Sequence, residues 1–234
     1  MIDTAVILSA GQGSRLLPLT IDRPKCLIEV GGKAIIDHQL DALAAAGVRR
    51  RIVVGGYRAD RLAAHLAARG GDAELRINPF WAVSSSIGSV WAARDALAGD
   101  FVIVNGDTVY TPALIRAGLA DDAPGIGLFV EPIAHAEQDD MLVAVSDGVV
   151  TAVAKTLDPA AAHHRSLGFI VARQDGGAYR AMLDAVIARE DGIRSFHHQI
   201  VHEIAQRQPV RPLLIRGGGW AEIDRPEDIA GWRG

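Results

Sequence analysis

Short apolar runs alternate with stretches of helical period along the first half of this chain. Thr4–Leu8 is an almost continuous apolar run, the pattern of a strand covered on both faces. Cys26–Val30 is a short extended run that ends in the glycine turn Gly31-Gly32-Lys33. Ile35–Ala46 repeats its apolar positions at helical spacing and stops at Gly47. Arg51–Val54 predicts a strand, Ala59–Ala68 a helix and Glu74–Ile77 a strand. Ile87–Leu97 predicts a helix behind a serine-rich start, and Phe101–Val104 another strand. Strands and helices in this order predict a parallel sheet flanked by helices, with ligands at the carboxyl ends of the strands.

The second half reads differently. Gly127–Val130, Leu142–Val145, Val149–Ala154 and Leu167–Val171 are short strands close together, and Ser146-Asp147-Gly148 is a hairpin signal. Gly176–Arg189 and Ile193–Arg207 have helical period, while Val210–Ile215 and Trp220–Ile223 are extended. Pro226–Trp232 predicts a closing helix with its proline in the first turn. The fold class is therefore α/β: a Rossmann-like, mostly parallel sheet flanked by helices, with a smaller mixed or antiparallel extension. No repeat, linker or low-complexity segment interrupts the chain. Its 234 residues suit one domain, a core over 1–130 and a second part over 131–234.

Composition narrows the functional classes. Net charge is −4 without a basic block, which excludes a nucleic-acid footprint. There is no apolar run of about 18 residues and no basic-then-apolar leader, so neither a membrane span nor a signal peptide is expected. The single cysteine, Cys26, cannot form an internal disulfide, which fits a reducing cytoplasm. Beside Lys25, it reads either as a reactive thiol or as a small buried residue. Only three of the 24 basic residues are lysines: Lys25, Lys33 and Lys155. A lysine kept in such a chain points to a task for a compact charge; Lys33 reads as part of a plain turn.

The candidate chemistry starts after the first strand. Leu8-Ser9-Ala10-Gly11-Gln12-Gly13-Ser14-Arg15 is a small-residue, glycine-rich loop that lets backbone approach a phosphate. Arg15 and Lys25 add two positive charges. It is not a P-loop, because no Gly-Lys-Ser/Thr follows, and a dinucleotide fingerprint lacks its third glycine. Val102-Ile103-Val104-Asn105-Gly106-Asp107 is an apolar strand ending in a carboxylate. Asp107 suits Mg²⁺, a hard cation that takes a few carboxylates plus phosphate oxygens, or else caps a following helix. In Trp220-Ala221-Glu222-Ile223-Asp224, alternation puts Glu222 and Asp224 on one face. Asp224 could also cap the helix that follows. Ser84, Ser85, Ser86 and Ser89 surround a helix start that offers free N–H groups. His198 and His202, with His197 beside them, have a zinc-compatible spacing, but no His-Glu-x-x-His or cysteine cluster supports a metal. His163-His164 reads as loop.

The string Gly11-x-Gly13-Ser14-Arg15-x-x-Pro18-Leu19-Thr20, followed by Pro24-Lys25, resembles the signature of the sugar-nucleotidyltransferase-like enzymes. These join a nucleoside triphosphate to a phosphorylated small molecule. The segment Asn78-Pro79-Phe80-Trp81 to Ser89 and the closing Glu222-Ile223-Asp224 are similar to the branch that activates phosphocholine and related phosphoalcohols with CTP. The resemblance spans nearly the full length, is specific at the first loop and Asp107, and is looser after about Glu131.

The resemblance implies a nucleotide-diphospho-sugar-transferase-like fold and a Mg²⁺-dependent cytidylyltransferase, with 1–130 binding nucleotide and 131–234 binding acceptor and closing the metal site. It implies catalytic Arg15, Lys25, Asp107 and Asp224. Ala10, Gly11, Gly13, Ser14, Ser84, Ser85, Ser86 and Ser89 would bind nucleotide. Asp107 and Asp224, with Glu222 as second choice, would hold Mg²⁺. Lys155, Asp139, Asp140, Tyr110 and Glu222 would line the acceptor site. Trp81, Tyr110 or Phe196 would suit a quaternary ammonium, and Arg194 with aspartates a polyol. Partners are an NTP, with CTP first, and a phosphorylated small molecule; a homodimer is open. A sugar-1-phosphate uridylyl- or thymidylyltransferase is the alternative, and a non-catalytic nucleotide-binding relative the alternative of another class.

Overall fold

A computed structural model of the chain describes residues 2–133, 135–137 and 139–232. Strand β1 (Thr4–Ser9) leads through a glycine-rich loop to the hairpin β2 (Glu29–Val30) and β3 (Lys33–Ala34). Helix α1 (Ile35–Ala45), β4 (Arg50–Gly55), α2 (Ala59–Ala68), β5 (Glu74–Ile77), α3 (Ser86–Ala92) and β6 (Phe101–Asn105) follow. Next come β7 (Thr108–Tyr110), α4 (Pro112–Leu119), β8 (Gly125–Pro132), β9 (Leu142–Ser146), β10 (Val149–Ala154) and β11 (His164–Arg173). The chain closes with α5 (Gly176–Ile187), α6 (His198–Ala205), β12 (Val210–Leu214), β13 (Trp220–Glu222) and α7 (Pro226–Gly231).

The central strands β6-β1-β4-β5 are parallel, with Leu8 opposite both Val54 and Asn105. Their apolar runs are continuous because both faces are covered. Val6 and Ile103 pack on one face with residues of α3, α5 and α6, while Ala5, Ile7 and Val104 pack on the other with α1, α2 and α4. Beyond β6 the sheet turns mixed. β11 lies antiparallel to β6, β8 and β9, and β12 pairs parallel with β8. Residues after 131 thus add strands to the same sheet. The β9–β10 turn has Asp147 and Gly148 at positive φ, as a tight hairpin requires.

Some elements differ from the sequence expectation. The run Cys26–Val30 is mostly a 3₁₀ turn, Lys25–Leu27, ahead of two strand residues. Helix Ile87–Leu97 stops at Ala92 and continues as a 3₁₀ turn, Arg94–Ala96. Helix Ile193–Arg207 starts only at His198, because Ile193 and Ser195 give their carbonyls to the N–H groups of Ser85 and Ile87. That backbone contact holds 193–196 against the start of α3 and out of a helix. Strand β7 separates Asp107 from helix α4, so Thr111 and not Asp107 caps the helix that follows. The Thr111 hydroxyl accepts from the Leu114 N–H, with proline in the first turn, a helix start written in Thr111-Pro112.

A third, small apolar cluster matters for the site. Leu16, Ile28, Val30, Ile35, Val109 and Ile223 are buried together, with Ile229 and Trp232 against them. It fastens the loop after β1, the turn around Lys25 and the β7–β13 pair to one another. No helix among the described residues is long and apolar enough to cross a membrane.

Candidate active site

The carboxyl ends of β1 and β6 lie side by side, and each releases a loop. The turn Asn105-Gly106-Asp107 sits directly on the end of β1: a Cβ at Gly106 would lie 2.2 Å from the Leu8 carbonyl oxygen. Glycine is therefore demanded by sterics, and the strand end fixes Asp107. The loop after β1 makes a similar close approach. Gly13 has φ +73°, and a Cβ there would come within 2.8 Å of the Lys25 Cβ. Lys25 passes against this glycine to reach the carboxylates, with only 12% of its side chain exposed.

Strand β13 pairs antiparallel with β7, setting Glu222 opposite Thr108, and the Ile223 N–H donates to the Asp107 carbonyl at 2.9 Å. Asp107, Glu222 and Asp224 consequently converge, each with a carboxylate oxygen within 4.8 Å of the others. Hard oxygen donors this close together could hold Mg²⁺, which takes one or two protein carboxylates with water and phosphate oxygens. The Lys25 ammonium lies 3.0 Å from Asp107 Oδ2 and donates to Asp224 Oδ1. Arg15 Nη1 donates to Asp224 Oδ2 at 2.7 Å and Nη2 to Asp139 Oδ1 at 3.0 Å.

The charges respond to this crowding. Burial works against the Asp224 charge, but Lys25 and Arg15 outweigh it and hold the carboxyl below the usual carboxylate range. Burial likewise pulls the Lys25 ammonium down, and Asp107 with Asp224 more than reverses it. Glu222 moves the other way. Desolvation of its carboxyl, then the charges of Asp107 and Asp224, push it up to about 8. The residue is still exposed to solvent, so water screens part of this repulsion.

A cavity of about 320 Å³ opens beside the three carboxylates. Arg15, Ser86, Asp139, Asp140, Lys155, Phe196, His197 and His198 are among its walls. Lys155 Nζ lies 3.7 Å from Asp139 Oδ1 and 5.2 Å from the centre of the Phe196 ring. Gly11 and Gly13 line a smaller hollow of about 160 Å³ with Lys25 and Asp107. Ala10 is buried, its carbonyl accepting from the Tyr57 N–H, and Ser14 is exposed at the loop's end.

Several candidates stand elsewhere. Tyr110 is 2% exposed, and its hydroxyl donates to the Leu167 carbonyl at 2.5 Å; it is a core residue and does not border the cavity of Asp107. Of the four serines, only Ser86 borders that cavity. Ser84 and the buried Ser89 both accept from the Asn78 side-chain amide, and Ser85 gives its N–H to Ile193. Trp81 packs edge-on against Tyr57, and Arg194 is exposed outside the cavity. Cys26 is 1% exposed and burial pushes its thiol up to about 12, which settles it as the inert alternative.

The histidines also separate. His202 Nδ1 accepts from the Val153 N–H, whereas His198 Nε2 meets the Ser166 hydroxyl at 2.9 Å, so they do not form an i, i+4 metal pair. His197 is buried with Nδ1 3.0 Å from Ser86 Oγ, and burial lowers it to about 4. His164 lies in β11, not in a loop. Asp224 does not cap α7: Asp228 reaches back to accept from the N–H groups of both Asp224 and Arg225. This leaves the Asp224 carboxylate to Lys25 and Arg15.

Sequence reading missed a second acidic hollow of about 450 Å³ that shares Asp139, Asp140, Glu222 and Asp224. Arg165 bonds Glu131 at 2.6 Å, lies 3.3 Å from Asp140, and covers the Trp220 ring at 4.9 Å; Trp220 Nε1 donates to Glu131. Glu131, Arg165 and Trp220 come from three strands far apart in sequence, and only docking of β8, β11 and β13 reveals them.

Comparison with known proteins accords with this geometry. A family model described as the MobA-like NTP transferase domain matches residues 5–214. A bifunctional IPC transferase and DIPP synthase of Aquifex aeolicus is 26% identical over 234 residues, 98% of this chain and 50% of that protein. N-acetylmuramate alpha-1-phosphate uridylyltransferase of Caulobacter vibrioides is 57% identical over 65 residues, 28% of this chain and 27% of that protein. The matches thus cover half or less of these relatives' lengths. The solved structure of CTP:phosphocholine cytidylyltransferase from Streptococcus pneumoniae superposes with a TM-score of 0.83 at 21% identity, covering 97% of this chain and 96% of that one.

Proposed function

The chain belongs to the MobA-like NTP transferase domain family, and on that premise we propose that it is a Mg²⁺-dependent cytidylyltransferase. It would join the CMP unit of CTP to a phosphorylated small alcohol or a phosphonate, releasing pyrophosphate. The observation that carries this reading is the convergence of Asp107, Glu222 and Asp224 within 4.8 Å at the end of β6. They lie beside two cations and a glycine loop.

In the proposed reaction an acceptor phosphate oxygen attacks the α-phosphorus of CTP. One P–O bond forms as the α–β bridging P–O bond breaks, and pyrophosphate leaves with the electron pair. The nucleophile is already an anion, so no proton transfer and no covalent enzyme intermediate are needed. Positioning and charge neutralisation are the chain's contribution. The Gly11–Ser14 loop and Arg15 would take the β- and γ-phosphates. Lys25 would leave the carboxylates for the α-phosphate. Asp107 and Asp224, with Glu222, would hold Mg²⁺, which supplies further positive charge to the phosphate oxygens when bound.

Lys155 would orient the acceptor phosphate, itself set by Asp139. On this division residues 1–130 serve the nucleotide and 131–234 the acceptor. A cytoplasmic location fits a chain that works on soluble phosphates.

A second reading, a sugar-1-phosphate uridylyltransferase, is favoured by the local 57% match to the Caulobacter enzyme. Product analysis by mass spectrometry separates them. The chain is incubated with Mg²⁺, each common NTP, and phosphocholine, phosphoethanolamine, 2-aminoethylphosphonate, inositol phosphate or sugar 1-phosphates. A CDP-alcohol, or the mixed anhydride of CMP with the phosphonate, supports the proposal. UDP- or dTDP-sugars would replace it with the second reading, and NTP binding without any product would favour a non-catalytic relative.

A further inference from the structure

We propose that Gln39, far in sequence from the acids of the site, is the positioning residue that sets the spacing of the three carboxylates; this rests on the metal-dependent reading above. Asp107 follows β6 of the large sheet, whereas Glu222 belongs to the separate two-stranded sheet of β7 and β13, with Asp224 just beyond it. The two sheets are joined in the chain by the short turn between Asn105 and Thr108. Any rocking of that turn would change the distance between Asp107 and the other two acids.

Gln39 grips this turn at both ends. It lies in α1 and is fully buried, and its side-chain Nε2 donates to the Asn105 carbonyl and to the Thr108 carbonyl, each at 2.6 Å. Asn105 ends β6 and Thr108 opens β7, so one amide group bridges the two sheets on either side of Asp107. A primary amide is the neutral side chain with two N–H groups on one nitrogen. An ionised glutamate there would have no donor, and an apolar residue would leave both carbonyls unpaired. The Gln39 Oε1 atom is buried without a hydrogen-bond partner. The side chain is therefore held by its donor contacts alone. Its neighbours on the buried face of α1, Ile36, Leu40 and Leu43, are all apolar. A single polar residue on that face, spent entirely on the turn, has the geometry of an outer-shell ligand support.

The test compares Mn²⁺ binding, followed by the electron paramagnetic resonance of free Mn²⁺, for the wild-type chain, Gln39→Met and Leu40→Ala. Leu40 is equally buried on the same helix and carries no polar group, so Leu40→Ala reports loss of packing alone. Gln39→Met is expected to weaken Mn²⁺ binding about 10–100-fold and to raise the Mg²⁺ activation constant by a similar factor, with the acceptor KM unchanged. Leu40→Ala is expected to lower the melting temperature and leave the Mn²⁺ constant as in the wild type. Should Gln39→Met not fold, Gln39→Asn, whose amide is one methylene short of the carbonyls, is read the same way. An unchanged Mn²⁺ constant in the Gln39 variants, or an equal loss in Leu40→Ala, overturns the positioning role alone. Failure of the wild-type chain to bind Mn²⁺ overturns the metal assignment beneath it.

Discussion

Removing Lys25 should expose the electrostatic cost of the acid cluster. In Lys25→Met the apolar stem is kept while the ammonium between Asp107 and Asp224 is lost. Three carboxylates within 4.8 Å then keep only the Arg15 guanidinium on Asp224 and the longer-range charge of Lys155. Breaking a buried ion pair by deleting one partner costs about 3–5 kcal/mol. Here Asp107 and Asp224 keep 29% and 26% of their side chains exposed, and water screens part of the repulsion, so about 2–3 kcal/mol is the expected loss. For a chain of this length that is roughly 4–12 °C in melting temperature. The assay is thermal unfolding at pH 8 in low salt, with and without Mg²⁺. Lys25→Met should melt below the wild type without Mg²⁺ and recover most of the difference with it, because a divalent cation replaces the missing charge. Turnover should stay low in both conditions. A variant that melts at the wild-type temperature without Mg²⁺, or gains nothing from the cation, would refute the view that Lys25 neutralises these acids.

Other expectations follow from single contacts. Gly106→Ala drives a Cβ into the Leu8 carbonyl and should cost about 1–3 kcal/mol in urea unfolding together with most turnover. Gly11→Ala, with nothing within 4 Å, should unfold like the wild type. Tyr110→Phe removes a buried hydrogen bond worth about 1 kcal/mol and should leave the acceptor KM untouched; a raised KM would restore Tyr110 to the acceptor site. His197 has its folded value lowered by burial from 6.5 to about 4, so its contribution is complete above 6.5 and fades as pH falls towards 4. That gap is worth about 3 kcal/mol. His197→Gln should lose less stability between pH 7 and pH 4 than the wild type, and equal acid sensitivity of the two would contradict the burial argument.

The parts of the site that lie within one segment were legible in the sequence. The apolar run ending in Asn105-Gly106-Asp107 is local, and a buried strand presents its tip residue at a fixed place. The approach of Glu222 and Asp224 to each other follows from alternation along a few residues. Their meeting with Asp107 depends on β13 docking on β7, which no local pattern encodes. The serines mark the other limit: Ser84 and Ser89 look like anion ligands by type, yet Asn78 takes both hydroxyls. Tyr110 fails for the same reason, since the Leu167 carbonyl that holds it comes from β11. Gln39 left a faint trace, a lone amide on an apolar helix face. The late start of α6 was hidden because backbone bonds to Ser85 and Ile87 override helical period.

The most direct measurement is Mg²⁺-dependent pyrophosphate release from CTP and a phosphoalcohol acceptor, by the wild-type chain and by Asp107→Asn. The substitution keeps size and removes one charge from the cluster. Release by the wild type with Mg²⁺, none with a chelator, and near-complete loss in a folded Asp107→Asn variant is the predicted result. Wild-type rates in Asp107→Asn, or release unaffected by the chelator, would contradict the assignment of these carboxylates to the metal.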